Sequence, residues 1–309
     1  MGETELAGYD IVIIGGGPAG LTAALYAARR KATTVVFEAE AIGGQIAKSP
    51  LVENYPGVKE ISGLELANRM KDQIERLGVE IKFERVVEIS KEDGNFSVKT
   101  AAGSYKAKAV ILATGAQPKK LDIQGEEAYV GRGVSYCAIC DAPFFKDKIV
   151  AVVGGGNSAA RAALLVADYA ARVYLIHRRD ALRAEPLLQD RLFANKKVEP
   201  VWNKVVEGIR GQTVVEDVVL RDVKTNEKVE LAVGGVFVEI GGSPATFLAV
   251  KLGVKCNERG YIKVDNHQRT NVEGFFAAGV VTDLPLRQVA TVVGEGATAA
   301  TSACEYIGK

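Results

Sequence analysis

The residues best equipped for chemistry are Cys137-Ala138-Ile139-Cys140-Asp141. Two thiols three positions apart can close into a disulfide and reopen, and beside a dinucleotide fold such a pair reads as a redox dithiol. Asp141 can carry the proton that thiol–disulfide exchange must deliver to a leaving thiolate. It can alternatively cap a segment beginning at Ala142. A zinc site would need about four ligands. The remaining candidates, Cys256, Cys304, His177 and His267, show no paired spacing, so no metal is expected and Cys256 and Cys304 read as packing or surface cysteines.

Two glycine-rich turns supply the second chemistry. Gly15-x-Gly17-x-x-Gly20 follows the apolar run Ile11–Ile14 and precedes a helical pattern. In that context the first glycine makes a tight turn and the second lets backbone approach a pyrophosphate. The third lets helix and strand pack closely, with the phosphates at the helix N-terminus. Glu38, 18 residues after Gly20, ends the next strand, where a carboxylate can accept both hydroxyls of a ribose. Gly154-x-Gly156-x-x-Ala159, with Asn157 and Ser158 inside it, repeats the turn. Here the acidic position is taken by His177, followed by Arg178, Arg179 and Arg183. Guanidinium groups grip a 2′-phosphate through fork-shaped, charge-assisted hydrogen bonds, whereas a carboxylate would repel it. The first turn therefore suits an adenosine with a free ribose and the second suits NADPH. The bland alternative for the arginines is a solvated basic helix face.

These turns belong to a module that occurs twice. Asp10–Glu38 overlays Ile149–His177 at a constant offset of 139 residues, strand on strand and helix on helix. Each copy continues into a set of strand-like runs: Val86–Ser90, Phe96–Thr100 and Tyr105–Leu112 after the first, with Asp93-Gly94 marking a hairpin. After the second come Val205–Ile209, Val214–Val223, Lys228–Val233 and Val236–Ile240. Each ends on a strand followed by glycine, at Gly115 and at Gly241-Gly242. The tail from about Phe275 has no counterpart. The expected fold is α/β, with two Rossmann-like βαβ nucleotide-binding domains, each with a β-meander, the second inserted into the first. One domain comprises residues 1–115 with 243–309, the other residues 116–242.

Composition narrows the classes. Lys and Arg (39) nearly cancel Asp and Glu (38), so no basic footprint points to nucleic acid or an anionic membrane. Glycine, at 33 of 309 residues, is about 11% against a typical ~7% and clusters at the turns. The uncharged run Ile11–Ala28 contains Gly15-Gly16-Gly17-Pro18 and follows Glu3, Glu5 and Asp10 rather than a positive segment. Leu6 breaks the myristoylation pattern that Met1-Gly2 would begin. A cytoplasmic protein is expected.

Together the motifs resemble the low-molecular-weight, bacterial/archaeal-type thioredoxin reductases over nearly the whole chain. They are GGGPAG (15–20), GGQ (43–45), ENYPG (53–57), ATG (113–115), CAICD (137–141), GGGNSA (154–159), HRRDALRA (177–184), and FFAAG (275–279) with RQ (287–288). The resemblance implies a homodimer whose FAD domain is split around an inserted NADPH domain. Gly43, Gly44, Gln45, Asn54, Gly115, Gly279, Arg287 and Gln288 would line the flavin. Cys140 would face the flavin and Cys137 would attack the disulfide of a thioredoxin-like partner. The electron route would run from NADPH to FAD to the dithiol to the partner, with one domain rotating about hinges near Gly115–Pro118 and Gly241–Pro244.

Three positions depart from the pattern. Val280 stands where an Asp usually bonds the ribityl chain, a loss worth roughly 0.5–1.5 kcal/mol. Asn157 replaces a commoner Asp, and Arg161-Ala162 occupy positions where acidic residues are frequent. Alternatives from the same fold are a ferredoxin-type donor or a flavin dithiol oxidase passing electrons to oxygen. From another class, the chain could be a nucleotide-sensing binding protein with a structural cysteine pair.

Overall fold

The computed structural model describes residues 5–309, and side chains from residue 8 onward. Met1-Gly2 and Glu3, used above in reading the N-terminus, lie outside the described residues. The chain divides into two compact units, one of residues 1–117 with 244–309 and one of residues 118–243. The two crossing segments, Ala116–Pro118 and Gly242–Pro244, pair as a two-stranded ribbon.

In the first unit a seven-stranded sheet is built around Glu5–Ile14. Parallel neighbours Thr34–Phe37 and then Glu80–Lys82 lie on one side, and Ser104–Leu112 lies on the other. The expected hairpin forms as Glu88–Glu92 and Asn95–Lys99, antiparallel to the start of Ser104–Leu112. Asp93 and Gly94 take positive φ at its turn. Phe275–Ala277 joins the far half of Ser104–Leu112 in parallel, so the tail completes the sheet. The strands read as near-continuous apolar runs because both faces are covered. One core packs the helices Pro18–Arg29, Gly63–Glu75 and Val289–Tyr306 on the sheet. The other packs Phe37, Phe96, Tyr105 and Phe275 beneath the meander.

The second unit repeats the plan. Five parallel strands run in the order Val198–Trp202, Arg172–His177, Ile149–Gly154, Val236–Glu239, Val134–Ser135. The helix Asn157–Ala167 covers one face and the antiparallel strands Lys204–Arg210, Asp217–Asp222 and Lys228–Ala232 cover the other. The expected Val214–Val223 strand is shorter, because Val214 is exposed and only Asp217–Asp222 finds partners on both sides.

Among the described residues no helix is long and apolar enough to cross a membrane. A buried polar knot ties the first strand down. Asp10 accepts hydrogen bonds from Lys108 (2.8 Å), Lys309 (2.7 Å) and the Thr33 amide (2.9 Å). Burial pushes its carboxyl up, and these donors more than reverse that, holding it well below the usual carboxylate range. A depressed pKa contributes stability that is present above the unfolded value near 3.9 and is lost as pH falls through the folded value. Asp10→Asn is therefore expected to destabilise the first unit by about 2 kcal/mol at pH 7. Denaturant unfolding at pH 7 and pH 3 checks this, since the gap between the two proteins should narrow in acid.

Candidate active site

The first glycine turn is shaped by close backbone contacts. A Cβ on Gly15 would lie 2.3 Å from the Ala113 carbonyl oxygen, and one on Gly20 only 1.9 Å from that of Gly15. Gly17 meets nothing nearer than the Gly43 oxygen at 4.0 Å, leaving the room that a phosphate needs at the N-terminus of Pro18–Arg29. The Glu38 carboxylate accepts from the Gly16 amide (2.7 Å) and, through its other oxygen, from the Glu40 amide (2.8 Å). Both oxygens are thereby aimed, each with a lone pair left for a ribose hydroxyl.

The segment carrying Gly43, Gly44 and Gln45 is drawn to this turn by the Gly43 amide donating to Gly16 O (2.8 Å). Gly43 and Gly44 both take positive φ. Asn54 donates through Nδ2 to Gln288 Oε1 (3.1 Å), and Gln288 also caps the helix Val289–Tyr306 in a reciprocal box with Thr291. Arg287 lies over the Tyr261 ring at 4.1 Å. Gly279, at positive φ, approaches helix Pro18–Arg29 so closely that a Cβ would sit 2.8 Å from Ala19 Cβ. Gly115 also takes positive φ, in open space.

Val280 packs against the core. The carboxylate engaged with this loop is Glu295, which accepts from the Gly279 amide (2.6 Å) and Thr282 Oγ1 (3.1 Å). Burial raises its carboxyl, opposed by those donors. Glu295 was not found from sequence because it sits 15 residues beyond Val280, in a helix with no motif of its own.

The second turn keeps the first glycine's constraint. A Cβ on Gly154 would lie 2.3 Å from Glu239 O, while Gly156 faces open space at φ −100°. Since Gly156 is unstrained, Gly156→Val is expected to fold yet to weaken binding of a pyridine nucleotide at this turn on the order of 100-fold, roughly 3 kcal/mol. Flavin content should be unchanged. Equilibrium binding of the oxidised pyridine nucleotides and the visible spectrum check the two halves of that expectation.

The basic set divides. Arg178, Arg179 and Arg183 are exposed and lie in a loop, so the helix-face alternative does not hold. His177 is set apart from them. It is buried under Gly155, whose Cβ would meet the ring at 2.3 Å, and it lies edge-on to Trp202. Burial, then the charges of Arg183, Arg179 and Arg178, lower its pKa, so the imidazole is neutral and adds no positive charge. The loop is anchored by the Arg183 amide donating to Gly155 O (2.7 Å). It is also clipped by Asn157, which donates to Glu185 Oε1 and accepts from the Glu185 amide, both at 2.8 Å. An Asp at position 157 would meet Glu185 as a like charge, so Asn suits this clip. Ser158 is exposed in the first helical turn.

Cys137 and Cys140 are joined as a disulfide with Cα atoms 5.3 Å apart. Cys137 begins the one-turn helix Ala138–Asp141, which presents Cys140 to solvent while Cys137 is half-buried. Ser135, missed in the sequence reading, holds the Cys137 backbone at both ends, accepting from its amide (3.0 Å) and donating to its carbonyl (3.3 Å). Asp141 precedes the short helix Ala142–Phe145, but its side chain makes no capping hydrogen bond. It is thereby left available for proton transfer. Cys304 is buried and Cys256 partly so. No group of three or more His, Cys, Asp or Glu among the described residues is arranged to hold a metal ion.

Residues 9–303 match the family described as pyridine nucleotide-disulphide oxidoreductase. A protein of Treponema pallidum named thioredoxin reductase is 46% identical over 300 residues, 97% of each chain. The solved Lactococcus lactis thioredoxin reductase superposes with a TM-score of 0.95 at 42% identity, covering 97% of this chain and 99% of that one. A Clostridium acetobutylicum structure titled ferredoxin-flavin thioredoxin reductase aligns at 35% identity over 98% of both chains, with a TM-score of 0.54. The chain belongs to the pyridine nucleotide-disulphide oxidoreductase family, an oxidoreductase family whose members bind a flavin and a pyridine nucleotide.

Proposed function

We propose that this protein is an NADPH-dependent thioredoxin reductase carrying FAD. One observation carries the reading most strongly. The unit that holds the Cys137–Cys140 disulfide also holds a glycine turn tied by backbone to a loop bearing three exposed arginines, whereas the Glu38 carboxylate bonds the turn of the other unit. Gly15, Gly17, Gly20, Glu38, Gly43, Gly44, Gln45, Asn54, Gly115, Gly279, Arg287 and Gln288 would hold FAD. Gly154, Gly156, Asn157, Ser158, Arg178, Arg179 and Arg183 would hold NADPH, with His177 supporting the turn from below.

Bound FAD and NADPH would supply the hydride and two-electron chemistry, and the Cys137–Cys140 disulfide would receive the electron pair and open to a dithiol. The Cys137 thiolate then attacks one sulfur of the partner disulfide, breaking that S–S bond and releasing a partner thiolate. Cys140 attacks Cys137 in the mixed disulfide, which restores the internal bond and releases the second partner thiol. Asp141 delivers the protons that the leaving thiolates take up. A cytoplasmic homodimer, with rotation about the paired crossings, belongs to the same proposal.

The 35% identity to the enzyme titled ferredoxin-flavin thioredoxin reductase supports a second reading, in which ferredoxin is the donor. Thioredoxin disulfide reduction measured with NADPH, NADH and reduced ferredoxin separates the two. NADPH should support turnover and the others little; turnover with ferredoxin alone would transfer the assignment.

A further inference from the structure

The strand order of the second unit places a carboxylate where the family motifs indicate none. Reading outward from Ile149–Gly154, the chain first moves to Arg172–His177 and Val198–Trp202 on one side, then returns to Val236–Glu239 on the other. The reversal falls between Ile149–Gly154 and Val236–Glu239, and dinucleotides in open α/β sheets lie across such a reversal, outside the carboxyl ends of the strands. The arginines follow Arg172–His177, so the adenosine end with its 2′-phosphate lies on that side. The nicotinamide half must then lie across the reversal, where Glu239 is the last residue of its strand, in register with Gly154. Glu239 shares a face with Phe237, two residues earlier, which packs edge-on against Phe145 just beyond the cysteine pair. The side chain is partly buried, and among the described residues no hydrogen-bond donor or opposite charge acts on its carboxylate.

We infer that Glu239 is a specificity residue of the nicotinamide half-site, favouring the cationic, oxidised nicotinamide of NADP+ over the neutral ring of NADPH. This rests on the NADPH reading above. Hydride donation turns a neutral ring into a cation, and an unpaired carboxylate in a partly desolvated crevice attracts that charge. The acidic side chain thereby stabilises the product of the first step and biases the electron pair toward leaving the nucleotide. Burial alone raises the carboxyl to about 7. No charge on the packed elements opposes this, neither Asp141 beside the cysteines nor Arg161 on the covering helix. The attraction is therefore expected to strengthen as pH rises from 6 to 8 and the group ionises.

The test is equilibrium binding at pH 8 to the flavin-loaded protein and to its Glu239→Gln variant, with NADP+ and 2′,5′-ADP, the last carrying only the adenosine end, bound to the oxidised form and NADPH to the fully reduced form, which cannot consume it. NADP+ should weaken about fivefold in the variant, with NADPH and 2′,5′-ADP each changing by less than about twofold. Equal weakening of NADP+ and NADPH, or no change in either, would overturn the inference, and loss of 2′,5′-ADP binding would show a structural role instead. If the unmodified protein binds 2′,5′-ADP no better than 5′-ADP, the underlying NADPH reading fails, and the two failures are distinct.

Discussion

Cys140→Ser is expected to abolish thioredoxin reduction, by at least about 1,000-fold in kcat/KM, while leaving reduction of the flavin by NADPH intact. The reason lies in the covalent bookkeeping of the pair. Without a second thiol at position 140 no internal disulfide exists to receive an electron pair, and Cys137 alone has nothing with which to resolve a mixed disulfide. Cys137→Ser should fail equally, at the attacking step. Because Cys140 is solvent-exposed and Cys137 is half-buried on backbone bonds to Ser135, neither change opens a core cavity, and both variants should fold. Stopped-flow absorbance at the flavin band, run beside a thioredoxin assay, separates the two half-reactions. Residual thioredoxin turnover in either variant would mean that electrons reach the partner by another route.

Arg178→Ala combined with Arg179→Ala should raise the KM for NADPH on the order of 100-fold and leave that for NADH within about threefold. Charge-assisted hydrogen bonds to a phosphate contribute roughly 1.5–3 kcal/mol each, and two are removed. Only NADPH carries the 2′-phosphate, so a change falling equally on both nucleotides would show general damage to the crevice. All three arginines are exposed and screened, so the preference of the unmodified protein should also narrow as ionic strength rises. His177 offers a useful contrast. Its ring is neutral and wedged beneath Gly155, so His177→Ala should act through stability and through both nucleotides alike.

Much of this architecture was legible in the sequence because it is written in local, periodic signals. The strand–glycine turn–helix unit, its second copy, and the Cys-x-x-Cys each occupy a few adjacent positions whose residue types have one strong physical reading. The carboxylate at Glu38 could be anticipated because its distance from the turn follows from one helix and one strand. What the sequence hid depends on contacts between distant segments. The Asn157–Glu185 clip joins residues 28 apart, and the Glu295 bond to Gly279 spans 16. His177 stands beside arginines in the chain, yet it ends a strand buried on both faces while they lie in the exposed loop beyond it. Glu239 ends a strand without a motif, and only the strand order sets it beside Gly154.

The most direct measurement is an anaerobic titration of the purified yellow protein with NADPH and, separately, NADH, followed by mixing with oxidised thioredoxin. The flavin band should bleach after about two equivalents of NADPH per chain, one for the disulfide and one for the flavin. NADH should be needed at far higher concentration, and thioredoxin should then restore the band. A flavin that NADPH leaves unbleached, or one that bleaches but is not reoxidised by thioredoxin, would contradict it.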